Sequence, residues 1–258
     1  MAPRFGEPVR RKTGDSRKLG EILAERIEDN IMSSGWPVGA VLGSEAELTE
    51  KYGVSRAVFR EAMRIVDHHG VAEMRRGPGG GLVVTAPDID AIVRAVSLQL
   101  QYERIQPGQV LESRNALELE CARLAARRVD DEGRVRIEAF LAAEEQRITQ
   151  TRRAGRSRGD LPSHDFHLLL AELTGNPALC LLLQMTTRVL GLQSPKSRSL
   201  RQVAAEVHRT HCHIAEAVMA GDEEAAERRM ARHMRSVEGF FPRPQVGNER
   251  QRGKGAVG

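Results

Sequence analysis

Residues 53–85 read GVSRAVFREAMRIVDHHGVAEMRRGPGGGLVVT, and the order of the elements they encode decides the first third of the fold. Gly53 makes a turn, Ser55 is placed to cap a helix, and the helix runs to His69 before Gly70 ends it. At roughly 100° per residue, Arg56, Arg60 and Arg64 span an arc of about 80°. Val58, Ala62, Ile65 and Val66 centre almost opposite, so one face packs and the other offers guanidinium groups. Two short β-type runs follow, 71-VAEMR-75 and 82-LVVT-85, joined by the glycine-rich tip 76-RGPGGG-81.

Upstream, Leu19, Ile22, Leu23, Ile27 and Ile31 recur at helical spacing from Arg17 to about Ser33, and GWPVG stops that helix at Gly35 and Pro37. Ser44 and Glu47 form a capping-box pattern that opens a short helix to about Lys51. Helix, helix, tight turn, helix and hairpin is the order of a winged helix-turn-helix, expected over residues 17–86.

Three arginines on one helix face are often no more than a solvated surface. Here the helix projects after a tight turn, Arg56 adjoins a cap where the dipole favours anions, and Arg75 and Arg76 flank a wing. Arginine suits both phosphate and bidentate contact to guanine, so the combination points to double-stranded DNA. Placement carries this reading, because overall charge does not: the whole chain is only +4, and residues 1–85 hold 13 Lys/Arg against 12 Asp/Glu.

Beyond Ala86-Pro87-Asp88 the pattern is helical throughout, with segments near 89–103, 107–128, 131–153, 162–174, 177–193, 199–220 and 223–240. Breaks fall at Pro107, Gly133, 155-GRSRGDLP-162, 175-GNP-177, 194-SPKS-197 and Gly221. The fold class is therefore mainly α: a winged helix-turn-helix, then an all-α antiparallel bundle over residues 87–241. Residues 1–16 and 242–258 carry Pro, Gly and charge without periodicity and read as disordered tails. Cys121, Cys180 and Cys212 are odd in number and form no Cys-x-x-Cys pair, which fits a reducing compartment rather than a disulfide scaffold. The N-terminal stretch has no apolar core of a signal peptide, and no run approaches the roughly 18 apolar residues of a membrane span. The expected location is cytoplasmic, away from any membrane.

The run 44-SEAELTEKYGVSRAVFREAMRIVDHHGVAEMRRGPGGG-81 resembles the DNA-binding domain of GntR-type transcriptional regulators. The shared pattern is a Ser-Glu-x-x-Leu helix, Gly-Val-Ser-Arg, an Arg-Glu-Ala-x-Arg recognition helix and a basic glycine wing. The resemblance implies DNA-facing positions at Ser55, Arg56, Ala57, Val58 and Arg60, with Arg76 and Gly77 at the wing tip. Ser44 and Arg75 complete the expected interface. Where that family usually carries an Arg in the second helix, this chain has Ala46.

The second half is similar to the FCD ligand domain of the FadR subgroup, through 114-RNALELECARLAA-126, 166-FHLLLAELTGNPAL-179 and 211-HCHIAEAVMAGDEEAAERRMARHM-234. The resemblance implies a divalent metal, zinc or nickel, held by three His and one Asp beside a small carboxylate effector. His167, His211 and His233 match the histidines, but the Asp position, four residues before the first, is Ser163. His164, one turn before His167, is the candidate fourth ligand, whereas Asp165 points away. His208 precedes His211 by one turn and could support it, while His213 should face elsewhere. Neutral imidazoles suit divalent metals, and three suffice if water or a ligand fills the remaining place. An effector pocket lined by histidines without a metal is the competing reading.

Arg114 opens the family-like run at an inward position, where an arginine needs an anion. Either Glu118 or Glu120 pairs with it, or it receives the effector's carboxylate. The expected protein is a homodimeric, ligand-responsive repressor on a palindromic operator, and not an enzyme. A three-histidine hydrolytic centre with an accessory winged domain is the alternative class.

Overall fold

The computed structural model describes residues 16–77, 79–153, 163–193 and 204–237, and the chain divides into two compact units, residues 1–89 and 90–258. Both tails expected to be disordered lie outside the described residues, apart from Ser16. The expected breaks at 155–162 and 194–197 lie outside them too.

Unit one contains α1 (Ser16–Ser33), α2 (Glu45–Tyr52), α3 (Arg56–His68), β1 (Ala72–Arg75) and β2 (Gly81–Val84). The apolar stripe of α1 buries Leu23, Ala24, Ile27 and Ile31 with Phe59, Ala62 and Val66 of α3, forming one core with Leu48, Tyr52, Leu82 and Val84. The capping box of α2 is present in full: Ser44 Oγ accepts from the Glu47 N–H at 3.3 Å, and Glu47 accepts from the Ser44 N–H at 2.7 Å. Gly53 closes α2 in the left-handed region (φ 64°), which turns the chain into α3 within two residues. Ser55 then caps α3 by accepting from the Val58 N–H at 3.3 Å.

β1 and β2 pair antiparallel, Ala72 opposite Val84 and Arg75 opposite Gly81. One pairing was not expected from sequence. Val41 bridges Val83, with Leu42 N–H donating to the Leu82 carbonyl and Leu82 N–H to that of Gly43, both at 2.8 Å. Three residues are too few to show a period, so this third edge left no pattern to read. Its flanking Trp36 is also anchored, donating Nε1–H to the Thr85 carbonyl at 2.8 Å.

Unit two contains α4 (Ile89–Tyr102), α5 (Pro107–Arg128), α6 (Asp131–Arg153), α7 (Ser163–Leu173), α8 (Pro177–Gln193), α9 (Ala204–Met219) and α10 (Glu223–Val237). Helix α5 is the central one and packs against α7, α8, α9 and α10. Small buried residues on it, Cys121, Ala122, Ala125 and Ala126, let these neighbours approach closely. The break expected at Gly133 falls three residues earlier: Asp130 Oδ1 accepts from the Gly133 N–H at 2.8 Å, leaving the glycine inside the first turn of α6. The surrounding core is Ile137, Phe166, Leu170, Ile214, Val218, Met230 and Met234.

Candidate metal centre and nucleic-acid interface

The two units carry separate chemistry. In unit one, Arg56 and Ala57 are exposed in the first turn of α3 beside the exposed Ser55 cap. Arg60 is also exposed and lies 3.7 Å from Glu45 Oε1, a loose pair that water competes with easily. Arg64 is tied to Glu61 at 2.7 Å on its own helix, which suits a solvated face. On the wing, Arg76 and Gly77 are exposed, whereas Arg75 bonds back to Glu73 at 2.7 Å.

Val58 corrects one expectation. It is 6% exposed and packs in the core of unit one, so its side chain cannot face DNA. The helical period had placed it on the packing face, and burial of an apolar side chain decides in favour of the period. Ser44 likewise serves its helix, since its hydroxyl and N–H are both engaged in the capping box.

In unit two, His167 on α7, His211 on α9 and His233 on α10 are all buried, and each offers one ring nitrogen so that the three lie within 4.8 Å of one another. What aims these nitrogens is the hydrogen-bonding of their opposite sides. Glu118 Oε2 accepts from His167 Nδ1 at 2.7 Å. Glu144 on α6 accepts from His211 Nδ1 at 3.0 Å. Thr210 donates its hydroxyl proton to the Val207 carbonyl at 2.7 Å, which leaves its oxygen free to accept from His233 Nδ1 at 2.9 Å.

With every Nδ1 acting as donor, each neutral ring carries its lone pair on Nε2. His167 Nε2 and His233 Nε2 then face each other at 3.3 Å, and His211 Nε2 is buried without a hydrogen-bond partner. Protonating one ring would relieve this, but burial, then His167, His211 and Arg114, push His233 down to about 2. Burial foremost, opposed by the bond to Glu144, also lowers His211. Ring nitrogens at His211 and His233 that resist protons, converging with that of His167, fit a divalent cation, and the carboxylates behind His167 and His211 are the usual support for ligating histidines. A metal here would act as a Lewis acid for an anionic ligand.

Glu118 stays a carboxylate at full burial: desolvation raises its pKa, but His167 and then Arg114 outweigh it and leave the group below its usual range. Arg114 donates both Nε–H and Nη2–H to Glu118 Oε1, at 3.1 and 2.8 Å. Of the two readings open for Arg114, the internal pair with Glu118 is the one present. Glu120 pairs instead with Arg123. Ser163 and His164 open α7, and their side chains lie outside the described ones. Among the described residues no carboxylate joins the three Nε2 atoms.

Glu144 and Thr210 are the parts of the centre that sequence reading missed. Glu144 also accepts from His208 Nδ1 at 2.7 Å, so His208 is indeed attached to the site, through a shared carboxylate. The available signal was an acid on an apolar stripe, since Glu144 continues the row Ile137, Phe140 and Leu141 towards Ile148. His213 is exposed. Cys121, Cys180 and Cys212 are free thiols, and burial pushes Cys121 up to about 12, which keeps it protonated and inert.

This combination of a winged helix-turn-helix and a helical unit around buried histidines defines a class, that of ligand-linked transcriptional regulators. The family model for bacterial regulatory proteins of the gntR family matches residues 19–82, and that for the FCD domain matches residues 109–236. The chain belongs to the GntR family of transcriptional regulators, in its FCD-containing form. It is similar to the Uxu operon regulator of Haemophilus influenzae, at 30% identity over 63% of this chain and 55% of that protein. The HTH-type transcriptional repressor NanR of an Enterobacter species is 27% identical over 90% of this chain and 88% of its own length. The solved structure of a Streptococcus agalactiae GntR has a TM-score of 0.61 at 26% identity, over 84% of this chain and 98% of that one. These relationships set aside the hydrolytic reading: the chain is a regulator and not an enzyme. Among the described residues no helix is long and apolar enough to cross a membrane.

Proposed function

We propose that this protein is a cytoplasmic, homodimeric repressor that binds a palindromic operator and releases it in response to a small carboxylate held at a metal in the helical unit. The observation that carries the metal is the set of three buried Nε2 atoms, each aimed by a bond to its opposite nitrogen. Three neutral ligands leave a divalent ion its full double charge and room for an anion, which is why the effector is read as an acid. Repression is supported by similarity to proteins named as repressors. Dimerisation follows from two-fold operators, whose half-sites lie about one helical turn apart. The residues proposed to touch DNA are Ser55, Arg56, Ala57 and Arg60 on α3, with Arg75, Arg76 and Gly77 on the wing.

Metal analysis of purified protein, then operator gel shifts with a carboxylate panel on loaded and stripped protein, tests this reading. The expected result is close to one zinc or nickel per chain and carboxylate-induced release that needs the metal. Release that is equal in stripped protein would remove the metal from the mechanism. Selection from random duplexes that enriches no inverted repeat would remove the palindromic operator.

A further inference from the structure

Among the described residues, Nε and Nη2 of Arg147 on α6 are buried and have no hydrogen-bond partner. Its guanidinium carbon lies 5.7 Å from the centroid of Phe140, two turns earlier on the same helix. Phe140 meets Phe166 at 5.8 Å, and Phe166 stacks on His211 at 4.3 Å. The guanidinium therefore sits at the far end of an aromatic run whose other end is a ring of the histidine cluster. Of the acids just before it on the helix, Glu144, one turn back, is already engaged by His208 and His211, and Glu145 is exposed.

A permanently charged group with two buried, unsatisfied donors is costly unless an anion meets them. Nε–H and Nη2–H lie side by side on one edge of the guanidinium, spaced to match the two oxygens of a carboxylate. On Arg114 that same edge is filled by Glu118. On Arg147 it is open. We propose that Arg147, and not Arg114, receives the anionic group of the effector, which fixes the effector's class as a small organic carboxylate gripped side-on by this arginine. The inference rests on the proposed reading that the helical unit takes a small-molecule effector.

Two properties of the full-length, metal-loaded protein test it, with citrate and malonate as probes against wild type, Arg147→Met and Arg147→Lys. Without carboxylate, Arg147→Met removes the unsatisfied donors while keeping an unbranched apolar stem, so its unfolding temperature should rise by about 2–4 °C. With carboxylate the order should reverse. At least one probe should bind wild type, and Arg147→Met should weaken it about tenfold or more. Arg147→Lys, which keeps charge but loses the two-point grip, should fall between. A lower anion-free unfolding temperature in Arg147→Met would make Arg147 a structural partner and overturn the proposal. So would unchanged affinity in that variant, or a wild type that binds neither probe. Operator gel shifts of anion-free wild type and Arg147→Met should agree. If neither protein shifts operator, it is the regulator reading that fails, and if only the carboxylate response is unchanged, it is Arg147.

Discussion

A histidine can hold a metal only through a nitrogen that no other group has taken, and at His167, His211 and His233 the partners of Nδ1 decide which nitrogen that is. This has a consequence for acid stability. His233 titrates near 6.5 in the unfolded chain but is held down to about 2 when folded. Below pH 6.5 the unfolded chain binds a proton that the native state refuses, so stability is complete above that pH and lost as pH falls towards 2. The slope is at most about 1.4 kcal/mol per pH unit per group. In metal-stripped protein the urea midpoint should fall between pH 7 and pH 5, and His233→Gln should flatten that fall. Equal slopes in the two proteins would refute the neutral buried ring. For DNA, Arg60→Ala should weaken operator binding by roughly 1–3 kcal/mol if it reads a base edge. If it meets only phosphate, all sequences should weaken alike and the salt dependence should flatten. The three histidines were legible through family resemblance. Glu144 and Thr210 were not, because what makes them part of the site is a neighbouring helix that no sequence window contains.

Among the elements, α3 and the hairpin were readable because each is announced by local chemistry: Ser55 starts the helix, the glycines turn the wing, and the apolar face has a helical period. Val58 shows what happens when period and resemblance disagree, for the buried face prevailed. The edge around Val41 was invisible for a different reason, being held by backbone bonds to β2 rather than by side-chain pattern. Those bonds make Gly81 sensitive. It has φ 149°, and an added Cβ would lie 2.5 Å from the Gly43 carbonyl oxygen. Gly81→Ala should therefore cost about 1–3 kcal/mol through backbone strain. It should also loosen the wing, seen as a lower urea midpoint together with weaker operator binding. Normal values of both would mean that residues 40–43 can shift without penalty. Ser44→Ala removes one half of a capping box on an exposed turn and should cost only about 1 kcal/mol.

For the whole molecule, regulation requires a free-energy coupling between the operator-binding unit and the helical unit. If carboxylate weakens operator binding by some factor, operator must weaken carboxylate binding by the same factor. Titrations in both directions should give one number, and unequal factors would mean that a third equilibrium, such as dimer dissociation, is linked to both. If the proposed metal is bound, removing it should reduce amide-exchange protection in α5, α6, α7, α9 and α10, which carry the candidate ligands or the groups behind them. The three histidines are almost wholly enclosed, with His167 4%, His211 0% and His233 2% exposed. Among the described residues, an ion bound by these rings would be shielded from bulk water. Its departure would require both loss of the nitrogen ligands and a local opening of this part of the bundle. If it leaves more slowly than effector and operator exchange, such an ion would behave as a permanent part on the timescale of a transcriptional response, and the proposed carboxylate alone would carry the message.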